Sequence, residues 1–245
     1  MNDLNIKNND FSLATLSVIK EAENFNRWMY QTIRSYCNGE ILEIGSGIGN
    51  ISEFLLKDGY QMTLSDVRKD YCDRLADKFS EAGNLRGILH LDIVHADFEK
   101  EYQDHFSRFD TVFALNVIEH VPDDNLAIRN CRSLLKSNGR LIILVPAYPH
   151  LYNRFDKGLE HYRRYTKKSL SILIANNNFR IISSQYFNAV GVIGWYISGK
   201  LQRNASIPND QMKVYDYLVP VIKIIDKVLF NQVGLSVISV ARTNK

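Results

Sequence analysis

The sequence predicts an α/β protein built on a doubly wound parallel sheet, and three features carry that expectation. The first is the stretch Glu-Ile-Leu-Glu-Ile-Gly-Ser-Gly-Ile-Gly-Asn at 40–50, where a short apolar run ends in glycines at spacing two. The second is Asp66, which closes another apolar segment 21 residues beyond Gly45. The third is alternation. Apolar runs at 61–65, 88–94, 109–115 and 140–145 are separated by segments of helical spacing. Strands and helices in that order give a sheet covered on both faces, with ligands at the carboxyl ends of its strands.

Bulk properties set the limits. With 245 residues the chain suits one domain with room for an insertion. Hydrophobic content of 45% and charged content of 23% allow a full core. A net charge of +3 is too small to argue for nucleic acid. Cys37, Cys72 and Cys131 show no metal-ligand or redox spacing, the pattern of reduced cytosolic thiols. Residues 1–10 lack the basic start and apolar centre of a signal peptide, and no apolar run reaches the ~20 residues needed to span a bilayer. The expectation is a cytoplasmic protein with residues 1–10 disordered and 11–245 forming a single domain.

Residues 11–36 contain neither Gly nor Pro, and Leu13, Leu16, Ile19, Phe25, Trp28, Met29 and Ile33 fall at amphipathic helical spacing. They predict a helical layer on the sheet, with Phe25, Trp28 or Tyr30 available to close over a ligand. Ile41, Leu42 and Ile44 read as a buried parallel strand. Gly45, Gly47 and Gly49 then let a backbone approach a nucleotide-like ligand, since a side chain there would block it. A dinucleotide fingerprint would place a glycine at Asn50, so the pattern is Glu-x-Gly-x-Gly-x-Gly instead. Asp66 at a strand tip can accept hydrogen bonds from ribose hydroxyls or cap a helix over 67–79. A third strand over 88–94 leads to Asp97 and Phe98, and a fourth over 109–115 leads to Asn116-Val117-Ile118-Glu119-His120-Val121-Pro122. Pro122 is expected to open a helix over 123–136, and Asn138-Gly139 to end it. The fifth strand, 140–145, is apolar throughout and therefore central.

The glycine pattern resembles the first motif of the class I S-adenosylmethionine-dependent methyltransferases. The Asn-x-x-Glu-His segment after the fourth strand resembles the quinone-biosynthesis type within that group. The resemblance implies a Rossmann-like seven-stranded methyltransferase sheet with S-adenosyl-L-methionine as cofactor. Glu43, Gly45, Ser46 and Gly47 would form the turn around the methionine end, with Glu43 orienting the turn or reaching the ammonium. Asp66 and Val67 would meet the ribose and adenine. Asp97 would accept from the adenine amino group, Phe98 would lie against the ring, and Asn116 would stand beside the methionine part. Glu119 and His120 would lie near the transferred methyl. A structural turn is the plainer role for that last pair.

The loop 146–166 holds four tyrosines, two histidines and three arginines, and is long enough to be a binding loop. Its His-Tyr-Arg-Arg-Tyr-Thr run resembles a bacterial subset of small-molecule and lipid-pathway methyltransferases. Thr166 reads as the N-cap of a helix over 167–176. Lys167 and Lys168 in its first turn oppose the helix dipole at roughly 0.3–1 kcal/mol each. With Arg163 and Arg164 they suggest either a solvated basic surface or an anionic neighbour. A sixth strand at 179–187 precedes a helical insertion, 188–233, before the last strand. The insertion is apolar on more than one face, with Pro220 marking a kink or a fresh helix start. It can be a lid, a homodimer face, a roof over a lipophilic acceptor, or a peripheral membrane contact.

The function implied is methyl transfer to O, N or C of a small molecule, with His161, His120 and Tyr148 as catalytic candidates and His161 first as base. No metal is called for. Two rivals stand beside it, a nicotinamide-dependent oxidoreductase and a non-catalytic S-adenosylmethionine-binding partner protein. Nucleic acid is not expected as substrate, because the basic residues are too few and too scattered to follow phosphates.

Overall fold

The computed structural model describes residues 16–197 and 209–244. The expectations for residues 1–10, for the first residues of the N-terminal layer and for residues 198–208 of the insertion fall outside them. Seven strands form one sheet: β1 (Glu40–Ile44), β2 (Gln61–Asp66), β3 (Leu85–His90), β4 (Phe109–Leu115), β5 (Leu135–Pro146), β6 (Phe179–Phe187) and β7 (Ser236–Thr243). Their order is β3-β2-β1-β4-β5-β7-β6. The first five pair in parallel. β7 lies antiparallel between β5 and β6. The order reverses between β1 and β4, which makes the crevice beyond their carboxyl ends the topological switch point.

Alternation along the central strands divides the core in two. Leu42, Ile44, Val112, Ala114, Leu141, Ile143 and Val145 face the helices Asp124–Leu134 and Lys167–Asn176. Ile41, Phe113, Ile142 and Leu144 face the helices Glu23–Ile33, Lys69–Lys78 and Asn209–Val228. Both faces are covered, as a largely parallel sheet requires.

Several boundaries differ from expectation, each for a local reason. β3 ends at His90, because Asp92 accepts from the Val94 N–H and turns the chain. The helix after β4 is capped by Asp123, which accepts from Leu126 N–H, so Pro122 stands before the cap. That helix stops at Leu134. Asn138, at φ 63°, lies within the β5 segment instead of ending a helix. Thr166 caps its helix as expected. Pro220 starts no new element, since Asn209–Val228 runs through it as one helix.

The insertion is pinned to the domain. Asp226, buried, accepts from the N–H groups of Asn188 and Ala189 at 2.6 and 2.8 Å and so holds the start of the helix Ala189–Tyr196. Asp216 accepts from the Asn24 and Phe25 N–H groups at the start of Glu23–Ile33. Met212, Val219 and Ile222 face inward. Val214, Tyr217, Leu218, Val221, Ile224, Ile225 and Val228 form an exposed apolar arc opposite them. Among the described residues no helix is long and apolar enough to cross a membrane.

Candidate active site at the β1–β4 switch point

The glycine turn is shaped by its surroundings. Gly45 and Gly47 have φ of 71° and 56°, a region that L side chains avoid. A Cβ on Gly45 would come within 2.5 Å of Val117 Cγ2, so the turn after β1 and the turn after β4 touch. Ser46 ties the turn to β2, with its N–H donating to Ser65 O at 2.8 Å and its Oγ accepting from Ser65 N–H. Asp66 completes the clamp. One carboxylate oxygen accepts from Gly47 N–H and the other from Arg68 N–H, both at 2.9 Å. Each oxygen keeps a lone pair for a further donor. Burial raises the Asp66 pKa against those two bonds. Glu43 lies beneath the turn, accepting from Ser52 Oγ. Burial first, opposed by its serine bonds and aided by the Asp66 charge, pushes Glu43 up to about 7.

Val67 stands exposed at the mouth, next to Asp66. Asn116 is also exposed, at φ 55°, with its N–H on Leu144 O. Asp97 is exposed at the start of the short helix Phe98–Glu101, while Phe98 is buried in the core against Tyr102 and Phe106. Phe98 therefore does not line the crevice. Because β3 stops early, the carboxylate nearest its tip is Asp92, one residue after Leu91, whose N–H donates to Asp66 O. Sequence reading passed over Asp92 by extending the strand through it.

The N-terminal aromatics belong to the core. Trp28 packs on Phe187 with ring centroids 4.2 Å apart, and Tyr30 stacks on Phe54. Among the described residues, Leu16 lies over the glycine turn. Its Cδ1 would lie 3.2 Å from a Cβ on Gly47, and Asn50 Nδ2 donates to its carbonyl.

The turn after β4 and the loop after β5 meet beside this crevice. Tyr162 N–H donates to Glu119 O, fastening the 146–166 loop to the turn after β4. His161 Nδ1 lies 2.9 Å from Asp156 Oδ1, and its Nε2 faces Glu119 Oε1 at 4.0 Å. Asp156 also accepts from Arg164 Nε at 2.7 Å. Burial alone would raise Asp156, but the His161 bond and the Arg164 charge hold it below the usual carboxylate range. Glu119 is 0% exposed, and neither of its carboxylate oxygens has a hydrogen-bond partner. Burial pushes it up to about 8. The His120 ring meets His161 edge-on at 4.6 Å and reaches solvent on its other side. Desolvation first, then His161, pushes His120 down to about 4. Tyr148 stacks on Tyr186 at 4.9 Å with φ 61°, strained for an aromatic residue. Arg163 pairs with Asp124, and Lys167 donates to Gln232. With Arg164 on Asp156, three of the four basic groups are matched within the chain.

Residues 42–141 match a family model described as a methyltransferase domain. A ubiquinone biosynthesis O-methyltransferase of Xanthomonas euvesicatoria pv. vesicatoria is 27% identical over 139 residues, which cover 52% of this chain and 56% of that protein. The chain thus spans about half the length of the curated relatives it matches. Among solved structures, the [4+2]-cyclase SpnF superposes with a TM-score of 0.60 at 17% identity, over 89% of this chain and 81% of that one. A 1,6-didemethyltoxoflavin-N1-methyltransferase of Burkholderia thailandensis, solved with S-adenosylhomocysteine, gives 0.59 at 15% identity over 99% and 89%. These likenesses show the fold, and the matched segment runs from β1 into β5 through the glycine turn, Asp66 and the Glu119-His120 turn. Residues 42–141 thus resemble a methyltransferase domain, on a fold that this chain shares with solved S-adenosylmethionine-dependent methyltransferases.

Proposed function

We propose that the chain binds S-adenosyl-L-methionine beyond β1, β2 and β4 and transfers its methyl group to O, N or C of a small, lipophilic or aromatic acceptor. The observation that carries this reading is the Asp66 clamp on Gly47, which sets a carboxylate with spare lone pairs beside a glycine turn whose side-chain space is taken by Val117 and Leu16. Asp66 then grips the ribose hydroxyls, Val67 covers one side of the adenine, and Asp97 or Asp92 takes its amino group. Asn116 and the Gly45–Gly47 backbone hold the methionine end, with Glu43 supporting the turn from below. The acceptor's attacking atom bonds to the methyl carbon as the carbon–sulfur bond breaks, and the electron pair stays on sulfur. Alignment and exclusion of water supply most of the assistance the protein can give.

The acceptor lies against His161, His120 and Tyr148. With Nδ1–H donating to Asp156, His161 offers a lone pair at Nε2 and can take a hydroxyl proton. Calorimetric titration with S-adenosylmethionine, followed by detection of S-adenosylhomocysteine over a panel of phenols, amines and acyl-chain hydroxyls, tests the reading. Saturable binding and product with one acceptor class are expected. Absence of binding would overturn it. Tight binding of NAD in place of S-adenosylmethionine would favour the oxidoreductase, which Asn50 argues against. Binding without turnover would favour the non-catalytic partner.

A further inference from the structure

We propose that Glu119, His120 and His161 form a binding site for a divalent transition-metal ion of the Zn2+ type. Their donor atoms lie within 4.8 Å of one another, drawn from the turn after β4 and the loop after β5. Glu119 supplies the independent reason to expect a ligand. A buried carboxyl group with no hydrogen-bond partner on either oxygen is costly in either protonation state, and a bound cation, by accepting both the charge and a lone pair, removes that cost. His161 is already set up as a ligand. Its Nδ1 is fixed on Asp156, and its Nε2 faces Glu119, the carboxylate–histidine arrangement that orients metal-binding imidazoles. Asp156 is itself held by Arg164 Nε and Asn153 N–H, so the Arg164 charge is balanced there.

Two imidazoles and one carboxylate suit zinc better than magnesium or calcium. Three protein ligands leave a fourth position open, as in catalytic zinc sites. For bonds of about 2.0–2.2 Å the donors must draw together by roughly 1 Å. His120, with one ring edge in solvent, has room to move and marks the entry path. The consequence for chemistry rests on the methyl-transfer reading. A hydroxyl acceptor at the open position loses its proton to water, and its oxygen then bonds to the methyl carbon as the carbon–sulfur bond breaks. His161 is then a ligand and the metal takes over its role as activator.

The test uses the untagged full chain stripped with EDTA and titrated with Zn2+ by calorimetry and with Co2+ by visible absorption. One equivalent should bind, and the cobalt form should show d–d bands. Glu119→Gln and His161→Gln should each weaken binding more than ~100-fold, and Asp156→Asn about 10–100-fold. His120→Asn, at a partly solvent-facing position, should weaken binding with the circular dichroism spectrum unchanged, which keeps the test decisive if a buried variant fails to fold. No saturable binding by the wild type, or unchanged affinity in His120→Asn, would overturn the site. S-adenosylmethionine titrated into the same samples separates the two readings. Loss of metal binding with cofactor binding intact counts against this site alone, and the converse counts against methyl transfer alone.

Discussion

At the scale of single residues, Asp66 closes the glycine turn with one carboxylate, and the proposed function assigns its remaining lone pairs to ribose. Hydrogen bonds to a charged group contribute about 1.5–3 kcal/mol. Asp66→Ala is therefore expected to weaken S-adenosylmethionine binding roughly 10–100-fold by calorimetry. Gly45→Ala meets both a left-handed backbone, which costs about 1–2 kcal/mol, and the Val117 methyl. It should lower the melting temperature by several degrees, at about 2–4 °C per kcal/mol for this size, and abolish binding. Glu119 and Glu43 set a pH dependence. Their folded pKa values, about 8 and about 7, lie above the ordinary 4.5, so the folded chain holds more protons in between. Stability contributed by their neutral forms is full below about pH 4 and declines as pH rises toward 8. Glu119→Gln removes the larger share. With both proteins stripped of metal by EDTA, its melting temperature relative to wild type is expected to rise between about pH 5 and about pH 9, read by thermal unfolding across that range.

Elements show why some of this was legible in the sequence and some was not. The turn after β1 was legible because a short apolar strand and glycines at spacing two have few other uses. Asp66 was legible because a βαβ unit fixes the distance between successive strand tips. The end of β3 was not, since Ile93 and Val94 look like strand until Asp92 bends the chain. The insertion's apolar faces were legible, but not which one would be covered. Asp226 decides that by tying Asn209–Val228 to the start of Ala189–Tyr196. Asp226→Ala leaves two buried N–H groups without an acceptor, a loss of about 1–3 kcal/mol for each. Faster hydrogen exchange and earlier proteolysis across 189–228 should report it. The outer arc, with Tyr217 81% exposed, is bordered by Lys227 and by Lys213, which pairs with Glu21, and the peripheral membrane contact expected of the insertion can be tested there. Tyr217→Glu with Val221→Glu should abolish sedimentation with anionic vesicles. Persistence of sedimentation in that variant would assign the arc another partner, a second copy among them.

For the whole molecule, the sheet gathers its chemistry at one edge. Parallel β1–β5 aim their carboxyl ends at the same crevice, and β7 runs the other way between β5 and the edge strand β6. That much followed from the alternation of strand and helix. The convergence of Asp156, His161 and Glu119 did not, because it depends on how a 21-residue loop folds back across the turn after β4, and loop closure leaves no periodic trace. Leu16, too, looks in the sequence like one more apolar helical position. Its side chain over Gly47 makes the N-terminal helix a latch on the crevice. On the cofactor-binding proposal, traffic through the pocket is expected to run at the pace of that contact. Shortening the bolt with Leu16→Ala should quicken both arrival and departure of S-adenosylmethionine in stopped-flow fluorescence, while the ratio of the two rates moves far less than either.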